Sequence, residues 1–207
     1  MTVTTPLADR FGRVATDLRV SLTDRCNLRC NYCMPAEGLD WLPTEQTLTD
    51  DEVVRLITIG VQRLGIREVR FTGGEPLLRR GLVDIVARTH ALGVETSLTT
   101  NALGLTRTAQ ALADAGLDRI NASIDSVRPE TFATITRRDR LADVVSGLEA
   151  ARPQVSGRSS STPSCCAAPT TTRRPSCSAG ASITATSCAS SSRCRSTRST
   201  TGAAPPW

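Results

Sequence analysis

The chain has 207 residues, room for one domain of ordinary size, and only 3 % of them are aromatic, so a core must be built from Leu, Val, Ile and Ala. No apolar run approaches the eighteen or so residues that span a bilayer, and the opening MTVTTPLADRF lacks the basic-then-apolar pattern of a signal peptide. A cytoplasmic location without a membrane partner is therefore expected. The net charge of +5 comes from 25 arginines and no lysine; seven of these lie beyond residue 150, where Asp and Glu are absent. The 18 that remain face 20 acids, so the folded part is close to neutral and no nucleic-acid partner is implied.

Taken in chain order, DLRVSLT (residues 17–23) reads as a first strand. A cysteine-rich loop follows, then TDDEVVRLITIGVQRLG, which opens on a Thr49–Glu52 capping box. Val53, Ile57, Ile59, Val61 and Leu64 are predicted along its apolar face. REVRFTGG is a second strand stopping at a double glycine, and LVDIVARTHALG a helix closed by Gly93. VETSLTTN is a third strand, RTAQALADAG a helix closed by Gly116, and DRINASID a fourth strand. RPETFATI and RLADVVSGLEAAR are two further helices. The repeating β-α order predicts an α/β fold, a parallel sheet with helices outside it forming an open or closed barrel. Four strands are visible, and a fifth is due just after Arg152.

It does not come. From residue 153 Leu and acids vanish, and Ser, Thr, Ala, Arg, Pro and Cys take over. Such a composition is that of an unstructured tail. The all-Arg basic complement points to GC-rich DNA, and stepping the register back one nucleotide restores strand-like text over 159–169 and 186–200. The expected organisation is residues 1–152 as the first four βα units of an incomplete barrel, and 153–207 as an out-of-frame, disordered tail.

The stretch DRCNLRCNYCMP (residues 24–35) carries Cys26, Cys30 and Cys33 in the loop after the first strand. Parallel α/β folds collect their active sites at that end. Structural zinc wants four ligands, commonly as two separated pairs, yet residues 1–152 hold no fourth cysteine. The only histidine, His90, reads as a surface residue. A four-iron cluster on three thiolates is the alternative, because its remaining iron can take a small molecule.

C-x3-C-x2-C with Tyr32 before the last cysteine resembles the signature of radical S-adenosylmethionine (SAM) enzymes. LRVSLTDRCNLRCNYCMP, VRFTGGEPLLR, LTTNALGL, AGLDRINASIDS and FATITRRDRLADVVSGLEAA resemble the molybdenum cofactor biosynthesis protein A family, the GTP 3′,8-cyclases. The resemblance covers about residues 10–152. It implies a radical SAM partial TIM-like barrel in which Cys26, Cys30 and Cys33 bind a [4Fe–4S] cluster. It assigns Tyr32, Gly73, Gly74, Glu75 and Ser123 to SAM, and Arg19, Arg70 and Thr99 to the substrate, GTP. An electron donor and a downstream cyclic pyranopterin synthase are the implied partners. The implied reaction splits SAM to a 5′-deoxyadenosyl radical, removes the 3′ hydrogen of GTP and closes the sugar onto C8 of guanine.

Each residue also has a plainer reading. The glycines suit any β-to-α turn, Tyr32 a hydrophobic lid, Ser123 a backbone contact, and either arginine a pairing with an acid such as Asp125. The family's second [4Fe–4S] cluster is expected to be absent, since Cys165, Cys166, Cys177, Cys188 and Cys194 lack its spacing. A chain that binds a cluster and SAM but is catalytically inactive is the alternative function, and a zinc-binding interaction module a third.

Overall fold

Residues 5–152 are described in the computed structural model of the protein; the expectations for 153–207 lie outside the described residues. A short antiparallel hairpin, β1 (Leu7–Ala8) and β2 (Val14–Ala15), comes first, its turn tied by the Asp9 side chain accepting from the backbone of Phe11 and Arg13. The sequence reading has no counterpart for it, because two-residue strands show no alternation.

Four parallel strands then follow, each beside the next: β3 (Asp17–Ser21), β4 (Glu68–Thr72), β5 (Glu95–Thr100) and β6 (Arg119–Ala122). Between and after them lie α1 (Asp50–Leu64), α2 (Leu82–His90), α3 (Ala109–Asp114), α4 (Pro129–Thr136) and α5 (Leu141–Ala151). This is the predicted α/β arrangement of four parallel β-α units. None of the helices among the described residues is long and apolar enough to cross a membrane.

The predicted capping box holds α1 at its start: Thr49 Oγ1 accepts from Glu52 N, and Glu52 Oε2 accepts from Thr49 N at 2.8 Å. Its inward face is Val53, Val54, Ile57 and Gly60, whereas Ile59 stands 44 % exposed. Ile59 is therefore a correction. Two residues on from Ile57 the helix has turned about 200°, so the two side chains cannot share a face. The helix predicted over 107–116 is also shorter. A 3₁₀ turn, Leu105–Arg107, precedes it, and Thr108, with φ −119°, separates the two. Splitting the segment lets Leu105 and Leu112 both reach the core.

Strand alternation gives the sheet two unlike faces. One carries Leu18, Val20, Val69, Phe71, Leu98 and Ile120, packed with Val53, Ile57, Leu82, Ile85, Val86 and Leu112 of the helices. The other is polar, and its residues fall in rows across the strands. Asp17 stands beside Glu68 and Glu68 beside Glu95; Arg19 beside Arg70, Arg70 beside Ser97, and Ser97 beside Arg119; Thr99 beside Asn121. The hydrophobic effect thus acts on one side only, and the other is left for polar work.

Neighbouring substitutions on β4 test this division. Phe71→Ala, on the packed face, is expected to cost about 3–5 kcal/mol. Arg70→Met, one residue earlier and on the polar face, is expected to cost about 1 kcal/mol or less. Urea unfolding of the two variants measures both, and equal losses would contradict the two-faced sheet.

Candidate functional site

The cysteine loop leaves β3 at Leu22, and neighbouring strand ends hold it from the start. Leu22 N donates to Thr72 O at 2.9 Å, Gly74 N to Thr23 O at 2.7 Å, and Glu75 N to Arg25 O at 2.8 Å. Both glycines are required by this approach. A Cβ on Gly74 would lie 2.3 Å from Arg25 O and 2.5 Å from Asp24 O, and one on Gly73, at φ +144°, 2.5 Å from Thr23 O. The close backbone approach that these glycines permit is to the chain's own cysteine loop.

Glu75 has no exposed surface. Its Oε1 accepts from Thr100 Oγ1 at 2.7 Å and Leu77 N at 3.0 Å, and its Oε2 from Asn101 N at 2.8 Å. Asn101 Nδ2 in turn donates to Asn27 Oδ1, between the first two cysteines, at 2.8 Å. Burial raises the Glu75 carboxyl above its ordinary value, against the opposing pull of these donors.

On its other side the loop meets the last turn of α4. Arg29 N donates to Thr136 O and Asn31 N to Ile135 O, two carbonyls near the helix end. Arg137, just past the helix in the left-handed region at φ +54°, donates from Nη1 to Met34 O at 3.1 Å. Within the loop, Arg29 Nη1 donates to Cys26 O and Leu28 O, and its guanidinium lies 5.5 Å over the Trp41 ring.

Cys26 and Cys30 are half-buried and Cys33 is exposed; all three are free thiols. Burial pushes the Cys26 thiol up, with the charges of Glu75 and Cys33 adding to it, and burial does the same for Cys30. Among the described residues no three His, Cys, Asp or Glu side chains gather closely enough to hold one ion. His90, on α2, is 52 % exposed and 4.0 Å from Asp118, well outside the loop.

Tyr32 donates to Asp125 Oδ2 at 2.9 Å, tying the loop to the segment after β6, and the residue is 53 % exposed. Burial of its hydroxyl and the bond to Asp125 push its pKa up. A cavity of about 310 Å³ opens on the polar face, lined by Arg19, Arg70, Thr99, Arg119, Asn121, Ala122 and Ser123. It brings together four residues singled out from sequence: Arg19, Arg70, Thr99 and Ser123. Ser123 N donates to Thr100 O, and the residue lines the cavity. Arg70 pairs with Glu68 at 3.2 Å rather than with Asp125, and Arg19 makes no ion pair among the described residues. Arg119 was not singled out from sequence. It opens its strand beside an acid, where an arginine looks solvent-facing until the register sets it in the row of Arg70.

Fold and site together define an α/β protein built around a three-thiol loop at the carboxyl edge of a parallel sheet, with a polar cavity alongside. The chain belongs to the radical SAM superfamily, whose pattern it matches over residues 20–162. It is 65 % identical over 154 residues to a GTP 3′,8-cyclase of Mycobacterium sp. (strain KMS), covering 73 % of this chain and 44 % of that protein. It is 68 % identical over 148 residues to the GTP 3′,8-cyclase of Streptomyces coelicolor, covering 70 % and 43 %. The chain thus spans less than half the length of these relatives. The crystal structure of methylornithine synthase shares the fold, with a TM-score of 0.52 at 13 % identity over 67 % of this chain and 42 % of that one.

Two outcomes are expected from the loop's anchoring. Gly74→Ala should cost about 1–3 kcal/mol, because backbone carbonyls cannot move aside for the new methyl. It should also speed labelling of Cys26 and Cys30 by a thiol reagent; unchanged labelling and stability would mean the contact is not tight. Glu75 sets a pH dependence as well. The folded chain holds this proton above 4.5, where the unfolded chain has begun to release it, so the contribution of Glu75 to stability falls as pH rises from 4.5. Urea unfolding at several pH values between 4.5 and 7 should show a flatter profile for Glu75→Gln, and an identical profile would exclude Glu75 as its source.

Proposed function

We propose that the described residues form the cluster-binding and SAM-binding part of a GTP 3′,8-cyclase, which converts GTP to 3′,8-cyclo-7,8-dihydro-GTP for molybdenum cofactor biosynthesis. The observation that carries this reading is a loop of three thiols, braced on both sides, beside a cavity lined by three arginines. Cys26, Cys30 and Cys33 would hold a [4Fe–4S] cluster. When bound, such a cluster supplies the electron that opens the sulfonium bond of SAM.

The rest of the reading concerns what these side chains do. Tyr32 offers an exposed ring beside the thiols, its orientation set by Asp125. Gly73 and Gly74 present backbone beside the loop, and Ser123 a hydroxyl, for the polar groups of SAM. Glu75 serves from within: with no surface to offer a ligand, it positions the loop through Asn101 and Asn27. Arg19 and Arg70 take the triphosphate of GTP, since guanidinium forks pair with phosphate oxygens, and Thr99 takes its sugar. An electron donor and a downstream cyclic pyranopterin synthase are the partners this function requires.

The break in composition after residue 152 favours a second reading of the 207-residue chain: it binds cluster and SAM without completing the cyclisation. Both readings are tested anaerobically. Reconstitution should give about four irons per chain and a visible spectrum that SAM perturbs. Cys26→Ala, Cys30→Ala or Cys33→Ala should each abolish it, and stoichiometric zinc without iron–sulfur absorbance would defeat the proposal. With dithionite, SAM and GTP, a chain with the single-nucleotide shift reversed should form cyclised product. The 207-residue chain should release a trace of 5′-deoxyadenosine at most; cyclisation by it at a comparable rate would reject the second reading.

A further inference from the structure

Arg119 sits in the same row of the sheet as Arg19 and Arg70, joined to them through Ser97 in register, and lines the same cavity. Three guanidiniums on one polar face repel one another unless something negative lies between them. The chain supplies acids in the adjoining row, Asp17, Glu68 and Glu95, but pairs them unevenly with the three arginines. Glu68, largely buried with 19 % of its side chain exposed, accepts at Oε1 from Arg119 Nη2 at 2.8 Å, Arg70 Nη2 at 3.2 Å and Ser97 Oγ at 3.2 Å. Burial opposes the charge on Glu68, but these donors, with Asp17, hold its carboxyl below the ordinary value, so the brace is ionised at neutral pH.

Arg119 uses only Nη2 for its acids, reaching Glu95 Oε1 at 3.3 Å as well as Glu68. Its ion pairs among the described residues thus leave Nε and Nη1 uncommitted. Arg70 Nε is buried with no hydrogen-bond partner. Arg19 makes no ion pair among the described residues. Glu68 thus serves both Arg70 and Arg119 and Glu95 serves Arg119 alone, while Arg19 and the Nε of Arg70 are left without an acid among the described residues.

We infer that Arg119 is a further substrate-binding residue: with Arg19 and Arg70 it grips the terminal phosphates of a nucleoside triphosphate, and Glu68 positions Arg70 and Arg119 to do so. This rests on the reading of the cavity as the triphosphate site and adds its third arm. The register also orients the ligand. The arginine row lies two residues before the row of Thr99 and Asn121, about 6.6 Å farther from the carboxyl edge. The phosphates therefore point away from the cysteine loop and the sugar toward it. Glu68 competes with the phosphates for the same guanidiniums, so it also limits how tightly the site holds a polyanion.

Calorimetry of the full 207-residue chain at fixed ionic strength tests this, with sodium tripolyphosphate, GTP and GMP as probes. Arg119→Met should weaken tripolyphosphate and GTP binding at least tenfold and leave GMP unchanged, and Arg119→Lys should recover part of the loss. A purely structural Arg119 would not separate GTP from GMP in this way. Glu68→Gln, which keeps the shape and removes the competing charge, should tighten tripolyphosphate binding severalfold. If Arg19→Met and Arg70→Met weaken binding and Arg119→Met does not, this inference fails and the triphosphate site stands. If the native chain binds neither tripolyphosphate nor GTP, both fail. Should Arg119→Met prove unfolded by circular dichroism, Arg119→Lys decides: weaker binding of tripolyphosphate and GTP with GMP unchanged supports the proposal, and affinities equal to those of the native chain would overturn it.

Discussion

The carboxylate of Glu75, wholly enclosed where β4 gives way to the turn before α2, is the contact on which the cysteine loop and the strand ends jointly depend. A charge so placed costs several kcal/mol unless its lone pairs are occupied. Here a threonine hydroxyl and two backbone amides occupy them, drawn from its own turn and from the end of β5. Its own amide reaches Arg25 in the loop. Loop, turn and β5 are thereby fixed to one another through a single residue, and the Asn101–Asn27 bond extends the fixing to the space between Cys26 and Cys30. The glycines beside it are the steric half of the same arrangement.

The opposite flank is held by a different device. The last carbonyls of a helix have no partners within it, and the cysteine loop has amides in need of acceptors. Arg29 and Asn31 meet that need at Thr136 and Ile135, so α4 and the loop complete each other. Arg137 adds a guanidinium across the junction, from a backbone conformation that few side chains adopt. Tyr32 and Asp125 close a third side. A loop with almost no regular structure is in this way given the rigidity that a cofactor site requires.

Much of the frame was legible because period-two and period-3.6 patterns survive in short windows. The four parallel strands, the capping box at Thr49 and the glycine stops at Gly93 and Gly116 are all local signals. Ile59 misled because an apolar residue inside an apolar run does not announce its face. The hairpin near the start is too short for any period to show. The cysteines stood out by residue type and spacing, whereas Arg19, Arg70, Thr99 and Ser123 were picked out by resemblance alone, and that these four line one cavity needed the structure. Nothing near Glu75 says that Thr100 and Asn101 will surround it, and nothing near Ile135 says that Asn31 will arrive. Arg119 needed the register of three strands before its neighbours could be named.

The sequence distance of these anchors bears on when the thiols become safe. The three loop cysteines lie within eight residues, yet Asn101 is 74 positions beyond its partner Asn27, and Arg137 is 103 beyond Met34. On the ribosome the loop therefore emerges long before the residues that shape it, and contacts so remote in sequence form late in folding. For that interval the cysteines are an unstructured thiol tract, open to oxidants and to whichever thiophilic metal is at hand. The loop acquires its described contacts only once α4 has been made and packed, so the order of synthesis itself sets apart an open stage from a braced one.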